Sequence, residues 1–136
     1  MITGIYGMNI AVKDLAAATK TYEGLFGVKA TPLGEGDFAF PGLIGATLDI
    51  KGFHINLIAS TQPNTSVAGF LERKGEGVFL LSVAVDAIDQ DVPALKAKGM
   101  QFVLPETVAG DFGAVNFIHP KSLNGVQVEI FQPAKD

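Results

Sequence analysis

The chain has no cysteine, no tryptophan, two tyrosines and two histidines in 136 residues. Without cysteine there can be no disulfide, no thiolate metal site and no thiol nucleophile, so any metal must be held by His, Asp or Glu. Charge is scarce too. Only 18% of residues are charged, with ten Lys and Arg against 14 Asp and Glu for a net charge of −4. No basic cluster exists to follow a phosphate backbone, which excludes nucleic acid as a partner. No apolar run approaches the ~20 residues of a membrane span, and Met1 to Lys20 lacks the basic start and long apolar stretch of a signal peptide. The expectation is a cytoplasmic protein with no membrane partner. Apolar surface is what the chain has in quantity: 48% of residues are hydrophobic and ten are Phe. A chain of this length buries roughly two thirds of its unfolded surface, so it is expected to fold alone as one compact domain.

The sequence repeats itself. Met8 to Leu15 overlays Leu81 to Ile88 at an offset of 73 residues, and both copies read as a strand followed by a turn. The next dozen residues have helical spacing in each copy, through Leu15, Ala18, Tyr22, Leu25 and Phe26 in the first and Ile88, Val92 and Leu95 in the second. Asp14 and Asp86 stand near the helix starts, where a carboxylate caps free N–H groups. Pro93 falls early in the second helix, and Gly27 and Gly99 mark the helix ends. Short strands are then expected at Val28 to Ala30, Phe38 to Phe40, Ala46 to Ile50 and His54 to Ile58. Their counterparts are Met100 to Val103, Ala114 to Ile118 and Val126 to Phe131. The resulting fold class is α+β: two tandem βαβββ modules, residues 1–60 and 77–136, joined by a linker over 61–76 that adds a short helical turn at Phe70 to Lys74. The modules are expected to form one curved, cup-like sheet with helices outside.

Ile10-Ala11-Val12-Lys13-Asp14-Leu15, Phe70-Leu71-Glu72 with Gly75-Glu76-Gly77-Val78, and His119-Pro120-Lys121-Ser122 with Gly125-Val126-Gln127-Val128-Glu129 carry a resemblance. Together with the module order, they make the chain similar to the vicinal oxygen chelate superfamily, which includes glyoxalase I, bleomycin resistance proteins, extradiol dioxygenases and, nearest in motif, methylmalonyl-CoA epimerases. The resemblance implies four inward metal ligands, one on the first and one on the last strand of each module. Those positions fall here on Gly7, Asn56, Leu80 and Glu129. It also implies a catalytic glutamate on the third strand of the first module, where Leu43 to Thr47 contains no acid. An amide and one carboxylate are too few donors for Zn, Fe, Ni or Co, so no metal and no other cofactor are expected. The alternative is a shifted site rebuilt from His54, His119 and Glu129.

Strand alternation gives the neighbours of the vacated positions. Asn9, Asn56, Ser82 and Glu129 are expected to converge, with His54 beside Asn56 and with Gln127 and Phe131 beside Glu129. Glu129, inward-facing between Val128 and Ile130, is expected to be desolvated, to titrate high and to act as general acid or base. His54 is the second catalytic candidate, and Asn9, Asn56, Ser82, Gln127 and Phe131 are the candidates for substrate binding. His119 is expected to be structural, and the glycine-rich loops at Gly34 to Asp37 and Ala109 to Gly113 are candidate lids.

The function read from these residues is a metal-independent lyase or isomerase. It would use acid-base chemistry, by dehydration, cyclisation or epimerisation, on an oxygenated small molecule such as a biosynthetic intermediate. A drug- or metabolite-sequestering protein and a methylmalonyl-CoA epimerase are the alternatives. The resemblance also implies a homodimer.

Overall fold

In the computed structural model, which describes residues 1–135, the chain runs β1 (Ile2–Ala11), α1 (Leu15–Phe26), β2 (Thr31–Leu33), β3 (Leu43–Ile50) and β4 (Phe53–Ser60). It continues through α2 (Ser66–Lys74), β5 (Gly77–Val85), α3 (Ile88–Ala97), β6 (Val108–Gly110), β7 (Gly113–Ile118) and β8 (Val128–Pro133). This is the βαβββ order written twice, so the α+β class expected from the repeat holds. Two compact units form: Gly7–Phe79, and Met1–Tyr6 together with the chain from Leu80 onward.

In the first unit the strands lie in the order β2-β3-β4-β1, with β1 parallel to β4 and the other pairs antiparallel. Helix α1 starts where the Asp14 carboxylate accepts the Ala17 N–H, and it stops at Gly27, whose φ of 69° a side chain would resist. One sheet face, with Ile10, Val12, Leu48, Ile55 and Leu57, packs against Leu15, Ala18 and Tyr22 of this helix. On the other face, Ala11, Leu43 and Ile58 meet Val67, Phe70 and Leu71 of α2. Most of the expected linker is therefore a packed helix, N-capped by Thr65 and anchored by the fully buried Val67. Such an anchor is worth about 1.5–3 kcal/mol.

In the second unit the order is β5-β8-β7-β6, with β5 parallel to β8. Ile88 and Val92 of α3 pack on Val83, Val85, Ile118, Val128 and Ile130.

Several local expectations are corrected. Phe38 to Phe40 is not a strand: a 3₁₀ turn at Glu35–Asp37 precedes it, and Phe38 packs with the α2 cluster instead. Strands expected at Val28 to Ala30 and Met100 to Val103 begin later, as β2 and β6, with Phe102 leaving a single bridge to Ile118. Asp86 does not cap α3. Ala87 takes the cap position, Asp86 binds the Met1 amine, and the Ile88 N–H is met by Gln132. Pro93 lies well inside α3, beyond the turn where a missing N–H is free of cost. The Ala109 to Gly113 loop is a tight connection between β6 and β7.

Candidate active site

The functional side chains sit on the sheet faces turned away from α1 and α3, and register determines their company. In the first unit, β1 and β4 place Gly7 opposite His54 and Asn9 opposite Asn56. Strand β3 then places Asp49 opposite His54 and Thr47 opposite Asn56. Opposed residues share a face, so Asn9, Asn56 and Thr47 form one polar row and His54 with Asp49 the next. Asn56 Nδ2 donates to Asn9 Oδ1 at 2.9 Å, beneath a surface that leaves Asn9 only 8% exposed. Thr47 Oγ1 is buried with no hydrogen-bond partner. His54 is half-buried, and its Nε2 lies 3.8 Å from Asp49 Oδ2, an ion pair when the imidazole is protonated.

The second unit carries the same construction. Strands β5 and β8 place Ser82 opposite Glu129, and the Ser82 hydroxyl donates to Glu129 Oε1 at 2.7 Å. Ser82 is completely buried, and its hydroxyl is engaged by the carboxylate. Glu129 keeps some exposed surface as a residue, but burial pushes its carboxyl above the ordinary range while the Ser82 bond pulls weakly the other way. Phe117 and Phe131 flank it, and Phe131 makes an edge-to-face contact with Tyr6 at 4.8 Å between centroids. Gln127 lies just before β8, half-buried, and its carbonyl accepts the Leu81 N–H.

The structure thus joins the expected site residues as two pairs, Asn9 with Asn56 and Ser82 with Glu129. His119 stands apart as a structural residue: its Nδ1 accepts the Lys121 N–H at 3.0 Å and caps a 3₁₀ turn. Sequence reasoning missed three polar side chains. Thr47 and Asp49 were legible from alternation along β3. Asn116 carries no such signal; fully buried, it binds the Leu104 backbone in both directions and pins the irregular segment before β6. An open groove of about 450 Å³ on the α1 side is lined by Ile10, Val12, Tyr22, Asp14 and Glu76. Both of its carboxylates are already used, by the Ala17 and Lys13 N–H groups.

A metal held as the superfamily resemblance implies does not fit these residues. A methyl group built on Gly7 would stand 1.9 Å from the His54 carbonyl oxygen. Leu80 is hydrocarbon and 2% exposed. Asn56 and Glu129 are the two donors left at the implied positions, and both are engaged by neighbours. Among the described residues, no three His, Asp or Glu come together.

Comparison with known proteins agrees with the fold. The Glyoxalase/Bleomycin resistance protein/Dioxygenase superfamily model matches residues 4–130. The human mitochondrial methylmalonyl-CoA epimerase is 31% identical over 128 residues, covering 90% of this chain and 70% of that protein. The crystal structure of the Mycobacterium tuberculosis methylmalonyl-CoA epimerase aligns with a TM-score of 0.88 at 30% identity, over 98% of this chain and 90% of that one. A Streptomyces coelicolor methylmalonyl-CoA epimerase variant in complex with 2-nitronate-propionyl-CoA aligns at 0.89 and 25% identity, over 99% and 100%. No helix among the described residues is long and apolar enough to cross a membrane.

Proposed function

The chain belongs to the glyoxalase/bleomycin resistance/dioxygenase superfamily, and on that premise we propose that it is an isomerase that moves a proton on the carbon beside a carbonyl. Glu129 is its acid and base, and no resident metal takes part. The observation that carries this reading is the Ser82–Glu129 pair, a carboxyl drawn off from water and fixed by one hydroxyl. Desolvation brings such a group toward neutrality, where it can both accept and return a proton. As carboxylate, Glu129 takes the proton from carbon, and the C–H electron pair moves through the new C=C bond onto the carbonyl oxygen. The planar enolate then turns its other face to the protonated carboxyl, which returns a proton to carbon from that side as the electron pair moves back, so that the carbon is inverted. Asn9 and Asn56 are the substrate-binding candidates of their own unit, since neutral amides are groups of the kind that hold a carbonyl oxygen. Gln127, just before β8, and Phe131, on it, stand two residues to either side of Glu129, and His54 is the second candidate to carry a proton.

The relatives support an isomerase and give no support to dehydration or cyclisation. Their names also supply the first substrate to try, because methylmalonyl-CoA has an acidic C–H between two carbonyl groups. A homodimer and a cytoplasmic location complete the proposal, and light scattering across a wide concentration range tests the first of these.

The decisive experiment incubates the purified chain with methylmalonyl-CoA in D2O containing EDTA and follows deuterium uptake by mass spectrometry. The expected result is catalysed exchange at the carbon beside the thioester, unaffected by the chelator. In Glu129→Gln it should be roughly 10²-fold slower or worse. Stoichiometric binding without exchange, or wild-type exchange in Glu129→Gln, overturns the reading.

A further inference from the structure

We infer that the first unit is closed to a divalent metal by its backbone, so that restoring the missing histidines does not restore a metal site. This deepens the metal-free reading above, but it rests on packing rather than on chemistry.

At Gly7 strand β1 begins to pair with β4, opposite His54. A Cβ there would meet the His54 carbonyl oxygen at 1.9 Å, its carbonyl carbon at 2.7 Å and its nitrogen at 2.9 Å. All three are backbone atoms, so no rotamer change relieves the clash; the strands themselves must part. Parting them pulls on the same face of the ladder two residues along, where Asn9 and Asn56 are joined at 2.9 Å. That hydrogen bond between amides ties β1 to β4 two residues beyond Gly7, and Asn9 is too buried to be left unpaired at no cost. Glycine at position 7 and the amide clasp at positions 9 and 56 are thus one device. The close approach brings the amides together, and the amides hold the close approach. The second unit lacks it. Leu80 already has a side chain, and two residues along the strand stands the hydroxyl–carboxyl pair of Ser82 and Glu129. A histidine is therefore blocked by the backbone at position 7, whereas at position 80 it only replaces a buried leucine.

Three variants test this by melting temperature and by Co(II) titration followed through visible absorption, neither of which depends on turnover. Gly7→Ala should melt at least about 5 °C below wild type, because overpacking against backbone cannot relax locally. Gly7→His/Leu80→His should either fail to fold or fold without binding Co(II) at micromolar concentration. Leu80→His alone separates the cost of the second substitution from that of the first. Wild-type melting of Gly7→Ala, or one tightly bound Co(II) per chain in the double variant, overturns the inference. Failure of the proton-transfer reading would show instead in deuterium exchange and leave these measurements unchanged.

Discussion

In each unit two polar side chains face one another across the first and last strands of a βαβββ module. They are Asn9 with Asn56 in one and Ser82 with Glu129 in the other, each pair 47 residues apart in sequence. The same backbone construction therefore presents two kinds of chemistry. The amide pair is neutral at every accessible pH and spends one donor and one acceptor on itself. The hydroxyl–carboxyl pair contains a proton that can leave, and burial tunes how readily it does so. Their third-strand neighbours differ in the same sense. Thr47, with an unpartnered hydroxyl, stands beside the amides, whereas the apolar Phe117 stands opposite Glu129. One duplicated backbone construction thus carries a neutral amide pair in one copy and a titratable carboxyl in the other.

The sharpest way to break this comparison is to make the second pair resemble the first. Glu129→Gln turns it into a neutral pair, and exchange is expected to fall roughly 10²-fold or more while the protein still folds. Circular dichroism alongside the exchange assay checks both halves of that statement.

A stability measurement follows from the same substitution. Because the folded-state pKa of Glu129 is raised, the unfolded chain loses this proton first as pH rises. The stability linked to the protonated carboxyl is complete below the ordinary glutamate range and is lost as pH climbs through the raised value. Glu129→Gln, which has no proton to lose, should therefore gain in melting temperature relative to wild type between acid and neutral pH. A gap that does not vary with pH would mean the carboxyl is not desolvated.

Smaller effects belong to the amide pair. Asn56→Ala leaves the buried Asn9 amide without its partner and should cost about 1–3 kcal/mol in denaturant unfolding. It should also raise KM together with lowering kcat, because an oxygen-holding group acts on ground state and transition state alike. Thr47→Val, which replaces an unsatisfied hydroxyl by a methyl of the same shape, should stabilise by about 1 kcal/mol. The smallest effect is expected at His119→Ala, which removes the cap of one exposed turn. It should cost at most about 1 kcal/mol and leave exchange unaltered.

Much of the fold was legible because it rests on local rules. The offset between Met8 to Leu15 and Leu81 to Ile88 revealed the duplication, Asp14 and Gly27 delimited α1, and apolar spacing found α1 and α3. Where the readings went astray, long-range packing had overridden a local signal. Phe38 to Phe40 has strand propensity, but Phe38 is drawn into the cluster beneath α2. Residues 66–69 read as linker from their polar surroundings, yet Val67 is fully buried and makes them helix.

The candidate site divides along the same line. Period-two alternation alone placed Asn9, Asn56, Ser82 and Glu129 on inward faces and marked Glu129 as the carboxyl to be desolvated. It could not say who would hold whom, because partnership depends on strand register, and register is set by contacts between residues far apart in the chain. Only the tertiary structure paired Ser82 with Glu129 and joined Asn9 to Asn56. Only it showed that Gly7 is an approach of two backbones rather than a lost side chain. Composition and spacing fix which chemical groups are available and which face of a strand they occupy. The distances that make an acid, a clasp or a closed site come from packing two strands together, which no local pattern encodes.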